Sequence, residues 1–295
     1  NRDAHRLLGM LYADLAERGQ SGGAGTVEAS VWQHAVDHLE QALGDTQSGM
    51  AVGIRLTLGR MYLQHQDYDK AIGTLKQLLS DSPALPQGVA LLAETYTTAG
   101  RQNEAIALLK DAVEEEPSFY SALADAYDKQ QRFAEAASAY AKASDENPRD
   151  ADLKIKWATA LLNRPERTSN ERARDLLLDV TKTNPNASWP LHLLARAQVL
   201  LDDLDGAEGT ARRILAINPS STSGAHDLAQ VFEARRQYTK IVETLDPIVA
   251  KPQKGREADM ALLLTHLGLA YLELGRGQDA AGSFERAIQL NPGDG

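Results

Sequence analysis

The chain has 295 residues, with 31 Lys and Arg against 41 Asp and Glu, a formal charge of -10 and 43% hydrophobic residues. That apolar content is enough for a fold, while the acidity argues against a nucleic-acid partner, which needs a basic face to release phosphate counterions, and against docking on an anionic membrane. There is no cysteine, so disulfides, thiolate nucleophiles and Cys-ligated zinc are excluded, and no run approaches the roughly 18 apolar residues of a membrane helix. The compartment stays open between a bacterial cytoplasm and a periplasm. The opening residue is Asn1 rather than Met, with no secretory pattern, so the sequence reads as processed or as a piece of a longer protein.

Along the chain, four series of residues recur in register. A proline closes each stretch at Pro83, Pro117, Pro148, Pro185, Pro219, Pro252 and Pro292, with gaps of 34, 31, 37, 34, 33 and 40 residues. Small residues recur at Ala35, Ala71, Ala105, Ala136, Ala173, Ala207, Ile241 and Ala280, and again at Gly9, Gly59, Ala93, Ala124, Ala158, Ala195, Ala229 and Gly268. Three residues after that last series stand Tyr12, Tyr62, Tyr96, Tyr127, Leu161, Gln198, Phe232 and Tyr271. The common period predicts a repeat architecture of units 1–50, 52–85, 86–117, 118–148, 149–185, 186–219, 220–253 and 258–292.

Each unit reads as two helices and a turn. Leu58, Gly59 and Tyr62 share one face of a first helix, residues 64–68 form a turn, and a second helix carrying Ala71 and Leu75 runs on to Pro83. Proline cannot continue a helix and biases its predecessor toward extended backbone. The Gly and Ala positions are expected to let helices approach closely, and the aromatic to fill the gap between hairpins.

Three insertions interrupt the period. One in the first unit, Gly19–Gly25, has the composition of a flexible loop. Three residues are added around Arg164–Arg167, and a linker runs from Lys251 to Arg256. The fifth unit departs from the pattern with Trp157 and Leu161. The seventh has Ile241 in an Ala position, which predicts a splayed hairpin. Leu269, Leu272 and Phe284 are expected to be poorly covered for want of a polar capping helix after the last unit.

The pattern Leu58-Gly59-x-x-Tyr62 with Ala71, Leu75 and Pro83 resembles the tetratricopeptide repeat, as does Leu267-Gly268-x-x-Tyr271 with Ala280, Phe284, Ala287 and Pro292. The resemblance covers essentially the whole chain. It implies an all-α, right-handed superhelical solenoid of about eight antiparallel helix-turn-helix hairpins, whose first helices line an inner, concave surface. It is nearly silent on biochemistry. The family's carboxylate clamp for chaperone tails is not matched, since Leu56, Arg60, Ala90 and Glu94 occupy the comparable places.

Motifs that carry chemistry are sparse. His34 and His38 have zinc-compatible i, i+4 spacing but no HExxH and no third ligand nearby in sequence, so they read as a solvated helix face. The other histidines are scattered over different units. Gly22–Gly25 lacks the Lys-Ser/Thr of a phosphate loop, and no Gly-x-Ser-x-Gly elbow occurs. The reading is therefore a non-enzymatic chain without cofactor or metal.

What remains is the inner surface that the resemblance implies. Projecting its positions gives Arg60, Glu94, Asp125, Asp128, Lys129, Thr159, Asn163, Trp189, His192, Arg196, His226 and Gln230 as candidate partner contacts, with Gln64, Thr97, Ser121 and Glu233 beside them. An acidic or carboxylate part of a bound segment is expected near Arg196, and a basic part over residues 94–128. The expected function is a scaffold or adaptor holding an extended or helical protein segment, with no nucleic acid and no membrane insertion. Its style resembles bacterial repeat proteins that organise secretion, envelope polysaccharide or assembly machinery. Two alternatives stay open at this stage: a solenoid that self-associates through its terminal repeats, and the interaction arm of a larger enzyme or sensor.

Overall fold

A computed structural model describes residues 2–20, 25–44, 48–251 and 254–293. Among them are sixteen α-helices and no strand, and no helix is long and apolar enough to cross a membrane. They pair in chain order as α1 (Arg2–Gln20) with α2 (Gly25–Leu43), α3 (Ser48–Gln64) with α4 (Tyr68–Asp81), α5 (Pro86–Thr98) with α6 (Gln102–Glu115), and α7 (Tyr120–Lys129) with α8 (Phe133–Glu146). The pairing continues with α9 (Ala151–Leu162) and α10 (Arg167–Thr183), α11 (Ser188–Leu200) and α12 (Leu204–Ile217), α13 (Thr222–Ala234) and α14 (Tyr238–Val249), then α15 (Glu257–Glu273) and α16 (Gly277–Leu290). The chain is a helical-hairpin solenoid in two compact units, residues 1–147 and 148–295, of four hairpins each.

Two backbone devices make the hairpins. The turn between paired helices is closed by a residue with positive φ at Gln66, Gly100, Gln131, Asp202, Arg236 and Gly275. In each case the next N–H reaches back to the carbonyl of the aromatic-series residue, as from Asp67 to Tyr62 at 2.9 Å and from Arg276 to Tyr271 at 2.8 Å. This is the six-to-one bond of a Schellman C-cap. The fifth hairpin lacks this device, because its extra residues replace the turn with an Arg164–Glu166 ion pair and a Ser169 Oγ–H bond to Glu166.

The second device ends each unit. Ser82, Glu116, Asn147, Asn184, Asn218 and Asn291 all stop a second helix with φ between −145° and −121° and ψ between 67° and 98°. Each stands before a series proline, whose ring forbids its predecessor the helical region. Pro252 lies outside the described residues, as do residues 21–24 of the predicted loop in the first hairpin.

The small-residue series explains the close packing. Ala35, Ala71, Ala105, Ala136, Ala173 and Ala207 are wholly buried, and Ile241 is wholly buried too, absorbed into a cluster with Ala207, Leu245 and Phe232. The glycines of the other series make room for a side chain rather than for a second backbone. A Cβ on Gly59 would sit 2.7 Å from Leu75 Cδ2, one on Gly268 2.6 Å from Phe284 Cε1, and one on Gly9 2.6 Å from Leu39 Cγ. The aromatics tie neighbouring hairpins together, since Tyr62 donates to Glu40 on α2 and Tyr271 to Asp246 on α14. Burial pushes both phenols upward, and the accepting carboxylates add to it. Cations close over the same rings, Arg101 on Tyr96, Arg132 on Tyr127 and Arg276 on Tyr271.

Within each unit the first helices of successive hairpins touch, α1 on α3 and α3 on α5, then α9 on α11, α11 on α13 and α13 on α15. Among the described residues, α1 and α15 both keep exposed apolar side chains. On α1, Leu7, Leu8, Leu11 and Leu15 are exposed. The places equivalent to Leu8 and Leu11 are buried in the hairpins that follow, for instance Leu58 and Met61. Leu269 and Leu272 are half-exposed, more so than Gln230 and Glu233 at the same places of the preceding hairpin. They stand at the places of Arg60 and Leu63 in the second hairpin, which belong to the face lined by first helices. Phe284 is half-buried against Gly268.

Candidate functional site

The richest chemistry lies in the second unit, on α11, α13 and α15. Trp189, His192 and Arg196 fall at i, i+3 and i+7 and so form one stripe along α11. His226, Gln230 and Glu233, at i, i+4 and i+7, form the corresponding stripe on α13, which begins where the Ser221 side chain accepts the Gly224 N–H. His226 follows His192 by one repeat length, so stacking the hairpins brings their rings to 6.4 Å, and His266 on α15 adds a third ring at 5.0 Å. Trp189 extends the row at its other end, 5.5 Å from His192 and 57% exposed.

Hydrogen bonds join this row to acids. His192 Nδ1 lies 2.8 and 3.0 Å from the two oxygens of Asp227, which is buried to 1% exposure. His226 Nδ1 meets His266 Nε2 at 2.9 Å, and His266 Nδ1 meets Glu233 Oε1 at 2.6 Å. Burial, with His266 and His192 alongside, pulls the His226 pKa down to about 4. Burial pushes the Asp227 carboxyl up, and the bond from His192 opposes that rise.

In front of the row opens a cleft of about 430 Å³ lined by Trp189, His192, Thr222, His226, Asp259 and Leu262, with Arg256 at its edge. Arg256 donates to Thr222 Oγ1 at 2.8 Å, and Thr222 in turn donates to Asp259 at 3.0 Å. Among the described residues no group of three or more His, Asp or Glu side chains is arranged to hold a metal ion.

Three matches to the tetratricopeptide repeat cover residues 62–127, 120–152 and 261–294. The chain is a tetratricopeptide-repeat protein. A tetratricopeptide repeat protein from Parabacteroides merdae superposes with a TM-score of 0.61 at 15% identity, over 83% of this chain and 95% of that one. The C-terminal part of a TPR repeat-containing protein from Cytophaga hutchinsonii gives 0.58 at 13% identity, over 81% and 96%. Lipopolysaccharide assembly protein B of Escherichia coli strain K12 is 23% identical over 244 residues, 80% of this chain. The chain spans 62% of the length of that relative.

In this tetratricopeptide-repeat chain the remaining inner-face candidates divide between the units. In the first, Arg60 is exposed and 4.0 Å from Glu17, while Glu94 and Lys129 are exposed. Asp125 is half-buried and accepts the Tyr140 hydroxyl at 2.6 Å, and Asp128 is half-buried on the same helix. In the second unit Thr159 turns its hydroxyl back to the Ile155 carbonyl at 2.8 Å. Arg196 gives one Nη to the Leu162 carbonyl at 3.1 Å and to exposed Asn163 at 3.0 Å, while Gln230 is half-buried. The cleft itself gathers only Trp189, His192 and His226 from that set. Sequence reasoning missed Asp227, His266, Thr222, Asp259 and Leu262. Asp227 and His266 share a signal that could have found them, since each directly precedes the Leu of its repeat.

Proposed function

We propose that this chain is a protein-interaction scaffold and that the inner face of its second unit, at α11, α13 and α15, holds a segment of a partner protein. The observation that carries this is the pairing of exposed Trp189 with Leu262 (45% exposed) across a cleft floored by half-buried histidines. Scattered surface apolar residues are ordinary, but an indole and a leucine facing one cleft beside fixed polar groups is the composition of a recognition site. Leu269 and Leu272 continue the apolar surface along α15 and give an extended or helical segment something to lie on. Repeat hairpins of this family bind proteins rather than perform chemistry, and the similarity to Lipopolysaccharide assembly protein B favours a partner in an assembly process of the cell envelope.

The test is affinity capture from the native host with wild-type chain and with the Trp189→Ala, Leu262→Ser double variant. Both positions are exposed, so melting should be unchanged. A protein retained by the wild type and lost from the variant supports the reading. Equal retention by both would overturn it, with Leu178→Ser, an exposed residue of α10, as the control substitution.

One observation favours a second reading, self-association. The exposed stripe Leu7, Leu11, Leu15 on α1 has the spacing of a helix-packing seam. Light scattering should then show a concentration-dependent mass that Leu11→Glu reduces to the monomer. A monomeric mass at every concentration would remove this reading.

A further inference from the structure

The hydrogen bonds around the cleft fix the histidine tautomers. A carboxylate only accepts, so the Nδ1 of His266 must carry the proton it gives to Glu233. With the rings uncharged, His266 has a bare Nε2, which can only accept, and His226 donates to it from Nδ1. The same reasoning at Asp227 puts the proton of His192 on Nδ1. Both cleft histidines are thus left with an unprotonated Nε2, and among the described residues neither Nε2 has a hydrogen-bond partner in the protein. The two rings line the cleft 6.4 Å apart, beside an exposed indole.

We propose that this cleft binds an arginine side chain of the partner segment, its guanidinium donating to Nε2 of His192 and of His226 while its plane covers Trp189. The proposal rests on the inner-face reading above and names the group that this face selects. Three features favour guanidinium over carboxylate. A planar fork of five donors fits a pair of separated acceptors, whereas a carboxylate would face two lone pairs. An exposed tryptophan is the strongest aromatic partner for a cation. The surrounding charge also favours it, since three acids, Asp227, Glu233 and Asp259, stand against two cations, Arg196 and Arg256. Arg256 does not cancel this advantage, because Asp259 lies 3.7 Å from it and shares Thr222 with it. A carboxylate of the same segment could still lie further along α11, where no acid stands within 4 Å of Arg196 among the described residues.

The experiment uses the full chain with isotope-labelled histidine at neutral pH and reads the ring nitrogens by two-bond proton–nitrogen spectra. The free protein should show His192, His226 and His266 in the Nδ1–H form. N-acetyl-arginine amide, added into the millimolar range, should shift Nε2 of His192 and His226 saturably, and N-acetyl-glutamate amide should not. Trp189→Ala should weaken the arginine amide about 2- to 10-fold while leaving the tautomers unchanged.

Nε2–H forms in the free protein would overturn the proposal. So would a larger response to the glutamate or lysine amide, or no saturable shift with the arginine amide. If the Trp189, Leu262 variant loses its captured partner but arginine amide has no effect, this inference fails and the inner-face reading survives. If the variant keeps the partner, the reading itself fails.

Discussion

The first helices of the two units obey the same packing rule and differ in what they show to a partner. In the first unit, Gly59 receives Leu75, and in the second, Gly268 receives Phe284 in the same geometry. Yet α3, α5 and α7 carry charged or self-satisfied groups at the inner positions. Arg60 leans to Glu17, Thr97 and Thr98 turn back onto their own helix, and Asp125 is taken by Tyr140. Three residues before the small-residue series, where α3, α5 and α7 carry Leu56, Ala90 and Ser121, α11 and α13 carry His192 and His226 beside Trp189, and α15 adds a row of half-exposed leucines. The difference teaches that the repeat fixes where side chains go but leaves the inner positions free to vary. Function is therefore to be sought where two units with one skeleton disagree.

The largest effect should come from attacking what the units share. Gly59→Val and Gly268→Val both force atoms into space that a Cβ alone would already crowd to 2.7 and 2.6 Å. Overpacking of this kind costs about 1–3 kcal/mol, and the two variants should lose similar stability in denaturant titrations. Hydrogen exchange should rise first in the unit that carries the change, because contacts in a solenoid are between neighbours. If one variant is tolerated and the other is not, the skeletons are less alike than this comparison holds.

A comparable or smaller effect should separate the units by pH. The folded pKa of His226 lies below its ordinary value of 6.5, at about 4. The unfolded chain therefore binds the proton more readily. The stabilising contribution is complete above pH 6.5 and is lost as pH falls from 6.5 toward 4. The loss is at most about 3 kcal/mol, since each pKa unit is worth about 1.4 kcal/mol and the ring is not wholly buried. Acidification should speed exchange in α11, α13 and α15 before α3, α5 and α7. Equal sensitivity in both units would remove the histidine row as the cause.

The fold was legible in the sequence because its determinants are local and periodic. Asn147, Asn184 and Asn218 before their prolines, Ala at each close contact and Tyr62 or Tyr271 at the hairpin junction announce themselves at one spacing. The inner face could be projected from the same register, and that projection reached Trp189, His192 and His226. It could not show that His192 and His226 would meet, nor that Asp227 and His266 would fix their protons. Those relations depend on side chains a repeat length apart on stacked helices, and the 40-residue gap between His226 and His266 hides the alignment. Leu269 and Leu272 were easier to read, since their exposure follows from their register together with their place in the last hairpin.

The smallest effect concerns the turns, which both units again share. Gly100 and Gly275 hold φ of 75° and 73°, with open space where a Cβ would be, and glycine has no steric objection to that conformation. Gln131 and Arg236 adopt nearly the same geometry, at φ of 57° and 56°, with a Cβ that disfavours it. Replacing either by Gly removes that strain, while the unfolded chain gains freedom that offsets part of the benefit. Gln131→Gly and Arg236→Gly should each stabilise by up to about 1 kcal/mol, and Gly100→Ala and Gly275→Ala should each destabilise by about the same amount. The two directions separate backbone strain from side-chain contact, because Gln131 and Arg236 are exposed and bury nothing that Gly would lose. Thermal melts of the four variants measure it. If Gln131→Gly and Arg236→Gly both lower the melting temperature, entropy rather than strain governs these turns. Conformational freedom would then not be what places glycine at 100 and 275.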